Sequence, residues 1–134
     1  MNTRLSASET TSEIRNFLAR SAIFTLSDLS SKAIIVHTVS GDSARIISAY
    51  RGKKPIFAKC FDESVVRELA LSYGLKAYLM WPAKTTDQLV KTALKEIVPD
   101  HKLKKSDLIV VIGATPKGRA SADFLGMCFV KNYI

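Results

Sequence analysis

The sequence has no apolar run approaching the ~20 residues of a membrane-spanning helix. The leader Met1–Arg15 also has no hydrophobic stretch of the kind that forms a signal-peptide core. These two absences lead to the expectation of a cytoplasmic chain. Cysteine is scarce. Cys60 and Cys128 are the two present, both in apolar surroundings, with no Cys-x-x-Cys or Cys/His spacing around them. Free, buried thiols are the expectation, and neither a disulfide nor a metal site is expected. No motif interleaves aromatic with basic residues, so the net charge of +8 does not by itself read as a nucleic-acid surface. It favours anionic partners in general, and most of the lysines and arginines read as solvated faces. No nucleophile–base pair or carboxylate dyad is visible, so an enzyme is not expected.

What is present is one domain's worth of core-forming sequence. The chain has 134 residues, of which 47% are hydrophobic, enough for a single domain and too few for two. Residues 1–9 read as a flexible leader. Thr10 and Glu13 stand at capping-box spacing. Ile14, Phe17, Leu18, Ala22, Leu26 and Leu29 then recur at helical spacing, giving one long or broken helix over about 11–30. Four strands alternate with helices after that. Residues 33–38 form the first strand, apolar on both faces, with His37 at its end as a structural residue. A helix over about 42–51 ends at Arg51-Gly52. Pro55–Ala58 is the second strand. Asp62 caps a helix that Gly74 stops. Ala77–Trp81 is the third strand. Thr85 and Gln88 cap a helix that Pro99 ends, and Leu108–Ile112 is a central strand. Phe124–Val130 is the last strand, and the loop before it is too short for a crossover helix, so an antiparallel pairing follows. The order implies a three-layer α/β/α sandwich, in which ligands bind beyond the carboxyl ends of the strands.

Chemistry concentrates in two turns at that end. Thr38-Val39-Ser40-Gly41-Asp42-Ser43 lies between a strand and a helix start. Glycine lets a backbone approach closely, hydroxyls donate hydrogen bonds, and a helix N-terminus offers unpaired N–H groups. The same residues also serve simply to cap a helix, and both readings stand. Gly113-Ala114-Thr115-Pro116-Lys117-Gly118-Arg119-Ala120-Ser121 follows the fourth strand with two hydroxyls and two cations. The two turns face each other if the first and fourth strands are neighbours.

Several strings in this order resemble the C-terminal domain of pyruvate kinase. They are Lys32-Ala33-Ile34-Ile35-Val36, Thr38-x-Ser40-Gly41-x-Ser43-Ala44-Arg45, Ile47-Ser48-x-Tyr50-Arg51, Pro55-Ile56-x-Ala58, and Lys104-Lys105-Ser106-Asp107-Leu108-Ile109-Val110-Val111. The likeness spans about residues 10–134. It implies a five-stranded mixed sheet with the last strand antiparallel, and an allosteric role in which the Thr-x-Ser-Gly-x-Ser loop holds a phosphate of a sugar-phosphate effector. Carried onto this chain, Thr38, Ser40, Gly41 and Ser43 would hold the phosphate, and Lys117, Gly118 and Arg119 would lie in the covering loop. Asp42 departs from the pattern by placing a carboxylate inside the loop, at a cost of roughly a kcal/mol or more to a bound phosphate. The loop after the fourth strand is also less glycine-rich than the resemblance leads one to expect. The pocket is therefore either retained with altered preference or a relic.

The chain has no room for the catalytic barrel of that family. It looks like a stand-alone regulatory domain, and Met1 with its polar leader suggests a complete small protein. The expected activity is non-catalytic binding of a phosphorylated small molecule or inorganic anion, with no cofactor and no metal. The alternative is an interaction module with a relic effector pocket. The apolar last strand, Phe124–Val130, suggests a sheet edge that a second copy would cover, hence a homodimer. Proximity of His37, Asp42 and Asp123 would be the basis of any independent enzymatic site.

Overall fold

The computed structural model describes residues 7–28, 31–38, 41–49, 54–72, 74–81, 84–113 and 124–134. The elements are α1 (Ala7–Asp28), β1 (Ser31–Thr38), α2 (Asp42–Ala49), β2 (Ile56–Cys60), α3 (Glu63–Leu69), β3 (Leu75–Leu79), α4 (Thr86–His101), β4 (Leu108–Gly113) and β5 (Phe124–Phe129), with a short 3₁₀ turn at Val130–Asn132. The strands form one sheet in the order β3-β2-β1-β4-β5. β1 pairs in parallel with both β2 and β4, β2 pairs in parallel with β3, and β5 runs antiparallel to β4. The five-stranded mixed sheet and the antiparallel last strand are as the sequence led us to expect.

β1 lies at the centre. Six successive residues, Ala33–Thr38, are buried, because helices cover both faces there. Ile34 and Val36 face a cluster with Ala19 and Ala22 of α1, Ala44 and Ile47 of α2, and Val65 and Leu69 of α3. Ala33 and Ile35 face the other cluster with Val90, Ala93, Leu94 and Ile97 of α4. The chain walks β1, β2, β3 along the sheet with its helices on one face. It then returns to β4 by α4 on the other face, as a constant hand of crossover requires. The walk reverses between β1 and β4, so the switch point of this sheet lies at the ends of those two strands.

Several helix boundaries differ from the sequence reading. α1 begins at Ala7, within the stretch expected as a leader, so Thr10 lies inside the helix and does not cap it. α1 is continuous to Asp28. Its buried face is narrower than the periodicity suggested. Ala19 and Ala22 are buried, whereas Ile14 and Phe17 are exposed. Small residues let α1 approach the sheet closely, and the larger ones flank the contact. α3 ends at Leu69 and not at Gly74. Gly74, with φ 65°, instead turns the chain into β3. α4 runs through Pro99 to His101, because proline has a helical φ and forfeits one hydrogen bond. Lys102, with φ 55°, closes the helix through its N–H to the Val98 carbonyl. The caps at Asp62 and Thr85 are as expected. Asp62 Oδ1 accepts from Ser64 N at 2.8 Å, and Thr85 Oγ1 accepts from Gln88 N at 3.1 Å. The Arg51-Gly52 end of α2, Tyr73 and Pro82 lie outside the described residues.

Both cysteines are free thiols. Cys60 is buried on the α1–α3 side and Cys128 packs half-buried on the α4 side. Burial raises both to a pKa of about 11, so they remain protonated at neutral pH. Among the described residues, no helix is long and apolar enough to cross a membrane, and no group of three His, Cys, Asp or Glu could hold a metal ion.

Candidate functional site

A hydrogen bond joins the described residues on either side of the turn after β1. Gly41 N donates to Thr38 Oγ1 at 2.8 Å, and this bond is buried. It ties the end of β1 to the residue directly before α2. Gly41 has φ 90°, a conformation that side-chain-bearing residues rarely adopt. The Gly41 carbonyl then accepts from Arg45 N at 2.9 Å, starting the helix. The first N–H groups of such a helix have no carbonyl one turn back and point out of its end. Ser43, in this first turn, is buried, and Asp42 is half-exposed. Thr38, Gly41, Asp42 and Ser43 therefore converge at the carboxyl end of β1, beside the switch point. Ser40, Lys117, Gly118 and Arg119 lie outside the described residues, as does Asp123.

Arg45 is the feature the sequence reading left out. Its Nη1 lies 3.1 Å from Asp42 Oδ1, and its Nη2 lies 2.8 Å from Glu68 Oε2 on α3. The guanidinium lies over the turn. A Cβ built on Gly41 would come within 3.2 Å of Arg45 Nη2. The Asp42 carboxylate is thus paired with a cation on its own helix, one that it shares with Glu68. Both side chains are near half-exposed, so solvent screens the pair to about 1 kcal/mol or less. The three-residue spacing from Asp42 to Arg45 could have signalled this pair. Glu68, from a different helix, could not have been foreseen.

His37 is not part of this turn. Strand alternation sends its ring to the α4 side, whereas α2 covers the other face. The suggested grouping of His37 with Asp42 is therefore not formed. His37 is buried, and neither ring nitrogen has a hydrogen-bond partner among the described residues. Burial lowers its pKa to about 4. The Leu89 backbone opposes this, and the Lys59 cation adds to the lowering. Beside it in register is Lys59, whose side chain is fully buried. Lys59 Nζ pairs with Glu96 of α4 and lies 4.4 Å from the centre of the Tyr78 ring. Tyr78 Oη in turn hydrogen-bonds His101 Nε2 at 2.6 Å.

A mostly parallel sheet with a strand–turn–helix connection at its switch point belongs to the broad class of α/β folds. More narrowly, the chain belongs to the pyruvate kinase α/β domain family: the family model "Pyruvate kinase, alpha/beta domain" matches residues 16–127. The chain is 36% identical over 89 residues to pyruvate kinase of Clostridium acetobutylicum, an alignment covering 66% of this chain and 19% of that enzyme. It is 31% identical over 122 residues to pyruvate kinase of Geobacillus stearothermophilus, covering 91% of this chain and 20% of the relative. A solved structure, Cryptosporidium parvum pyruvate kinase in complex with ADP, has the same fold with a TM-score of 0.77 and 20% identity, over 97% of this chain and 25% of that one. The chain thus spans about a fifth of the length of the curated relatives it matches, and the match is confined to the α/β domain. No catalytic barrel is present in this sequence.

Proposed function

We propose that this domain is a non-catalytic binding module for a phosphorylated small molecule or inorganic anion. The site is the turn from Thr38 to Ser43 with the first turn of α2. The observation that carries this reading is the bond from Gly41 N to the buried Thr38 Oγ1, which ties Gly41, with its left-handed φ, to the end of β1 directly ahead of a helix N-terminus. The first N–H groups of α2, which follow Gly41, suit a phosphate group. Arg45, already over the turn, supplies a cation beside Asp42. Ser40 and the Lys117-Gly118-Arg119 segment would complete the shell. The family relationship supports the reading, because the turn carries the Thr-x-Ser-Gly-x-Ser string.

Isothermal titration with fructose 1,6-bisphosphate, glucose 6-phosphate and inorganic phosphate tests it. Binding that falls at least tenfold in the Ser40→Ala, Ser43→Ala double variant supports the site. No heat with any phosphate, or affinity that the double variant leaves unchanged, overturns it.

A second reading concerns self-association. β5 is an edge strand whose Met127 and Phe129 are exposed. An apolar edge of that kind suits pairing with a second copy. Sedimentation at micromolar concentration tests this. A dimer that Met127→Lys disperses is the expected result, and a monomeric native chain overturns it.

A further inference from the structure

The sheet edge opposite β5 is β3, which has β2 on one flank and no described strand on the other. On the β2 flank the Ile56 N–H donates to the Gly74 carbonyl at 3.0 Å, and the Met80 N–H donates to the Cys60 carbonyl at 2.7 Å. Backbone groups of successive strand residues point to opposite flanks, so Lys76 and Tyr78 also turn theirs to β2. Leu75, Ala77 and Leu79 turn their N–H and C=O groups outward. We propose that β3 pairs antiparallel with the β3 of a second copy, about a two-fold axis at Ala77, as a self-association edge independent of β5.

Three observations select a second copy as the occupant. First, the strand Leu75-Lys76-Ala77-Tyr78-Leu79 is complementary to itself in that register. Ala77 meets Ala77, Leu75 meets Leu79, and Lys76 meets Tyr78. The three outward residues fall at hydrogen-bonded positions, so each of their N–H groups finds a carbonyl across the axis. Lys76 and Tyr78 fall at the closer, non-hydrogen-bonded positions, where side chains interact most directly. Leu75 and Ala77 already pack on the aliphatic cluster, and Leu79, 41% exposed, gains cover from the second copy. Second, the charges match. The carboxylates of Asp100 and Glu96 on α4 act on Tyr78. Lys76 and Asp100 take part in none of the described ion pairs. Placing Lys76 of one copy opposite Tyr78 of the other carries its ammonium toward those carboxylates, and the two-fold axis repeats the contact. Third, the same operation gathers exposed apolar side chains. Trp81, 84% exposed, follows the carboxyl end of β3, and Leu71, 97% exposed, lies in the turn ahead of its amino end. Antiparallel pairing brings the Trp81 end of one strand to the Leu71 end of the other.

Sheet edges are commonly guarded by proline, a bulge or lysine. β3 has neither proline nor a register shift, and Lys76 is its one charge. A lone edge lysine also serves in other sheets to keep copies apart, and the two roles separate by experiment. The Met127→Lys chain is the reference, because it removes any contribution from β5. A five-residue ladder is a small interface, so sedimentation equilibrium is run up to about 500 µM. A monomer–dimer equilibrium is expected. Ala77→Pro should abolish it. Its N–H faces outward, so the proline forfeits no bond to β2. Circular dichroism checks that this variant folds, and Leu79→Lys replaces it if it does not. Lys76→Ala should weaken the dimer at least fivefold. Amide exchange should slow with rising concentration at Leu75, Ala77 and Leu79, and stay constant at Lys76 and Tyr78. A chain monomeric at every concentration overturns the proposal. So does association that Ala77→Pro leaves unchanged, or that Lys76→Ala tightens. A native dimer lost in Met127→Lys, with no association at the highest concentration, overturns the β3 contact and supports β5.

Discussion

The two faces of the sheet are built from different materials. Under α1, α2 and α3 the cluster is aliphatic, formed by Ile34, Val36, Ile47, Ile56, Leu69, Val110 and Ile112 with small alanines. Under α4 an apolar cluster that includes Ile35, Phe57, Leu94 and Ile97 is interrupted by His37, Lys59 and Tyr78, which α4 answers with Glu96 and His101. The first face is held by burial of apolar surface, which is indifferent to pH and needs no partner geometry. The second carries ionisable groups whose cost depends on staying paired or neutral. Stability should therefore respond to composition on one side and to charge state on the other.

The largest effect expected is on the aliphatic face. Ile112→Ala should cost about 3 kcal/mol by lost burial and a residual cavity, equally at pH 7 and pH 5, in urea denaturation. An asymmetric result should follow on the α4 face. Glu96→Ala strands a fully buried ammonium and should cost roughly 3 kcal/mol, whereas Lys59→Met should cost less than Glu96→Ala or be neutral. Equal costs for the two would show that the faces are energetically alike. Next comes pH. His37 is neutral when folded, with a pKa of about 4, and takes up a proton near 6.5 when unfolded. Between those values the unfolded state binds more protons, so stability falls as pH drops from 6.5 and the loss levels off below 4. Roughly 2 kcal/mol should disappear between pH 7 and pH 5. His37→Leu should flatten that slope, and a slope left intact would assign it to another group. The smallest effect is at the N-cap of α4, where Thr85→Ala should cost about 1 kcal/mol, read as a lower thermal midpoint.

The contrast also explains what was readable in the sequence. The strands announced themselves because a buried parallel strand must be apolar on both sides, as Ala33–Val36 and Leu108–Ile112 are. The antiparallel β5 followed from loop length alone. The α4 face was hidden. A lysine between Ala58 and Cys60 gives no sign that it is buried, and its partner Glu96 lies 37 positions away. The site was half legible. The glycine and hydroxyls of the turn were in plain view, and the structure adds the bond from Gly41 N to Thr38 Oγ1. The clamp of Arg45 between Asp42 and Glu68 depends on how α2 packs beside α3, which spacing along the chain does not encode. α1 was misjudged because Phe17 was counted by its chemistry, while a helix lying close to a sheet is buried by its alanines.

The central place of β1 has a consequence for how the chain comes into being. β1 is made early, yet one of its two neighbours is β4, whose Val110 pairs with Ile34 only after most of the chain has been synthesised. Until then β1 is a sheet edge, with Ile34 and Val36 on one side and Ile35 on the other covered on a single flank. Completion of the sheet therefore waits on a long-range contact, and contacts of that kind slow folding. A nascent or truncated chain ending before residue 108 exposes its most apolar strand as an open edge, the form most prone to pairing with the wrong molecule.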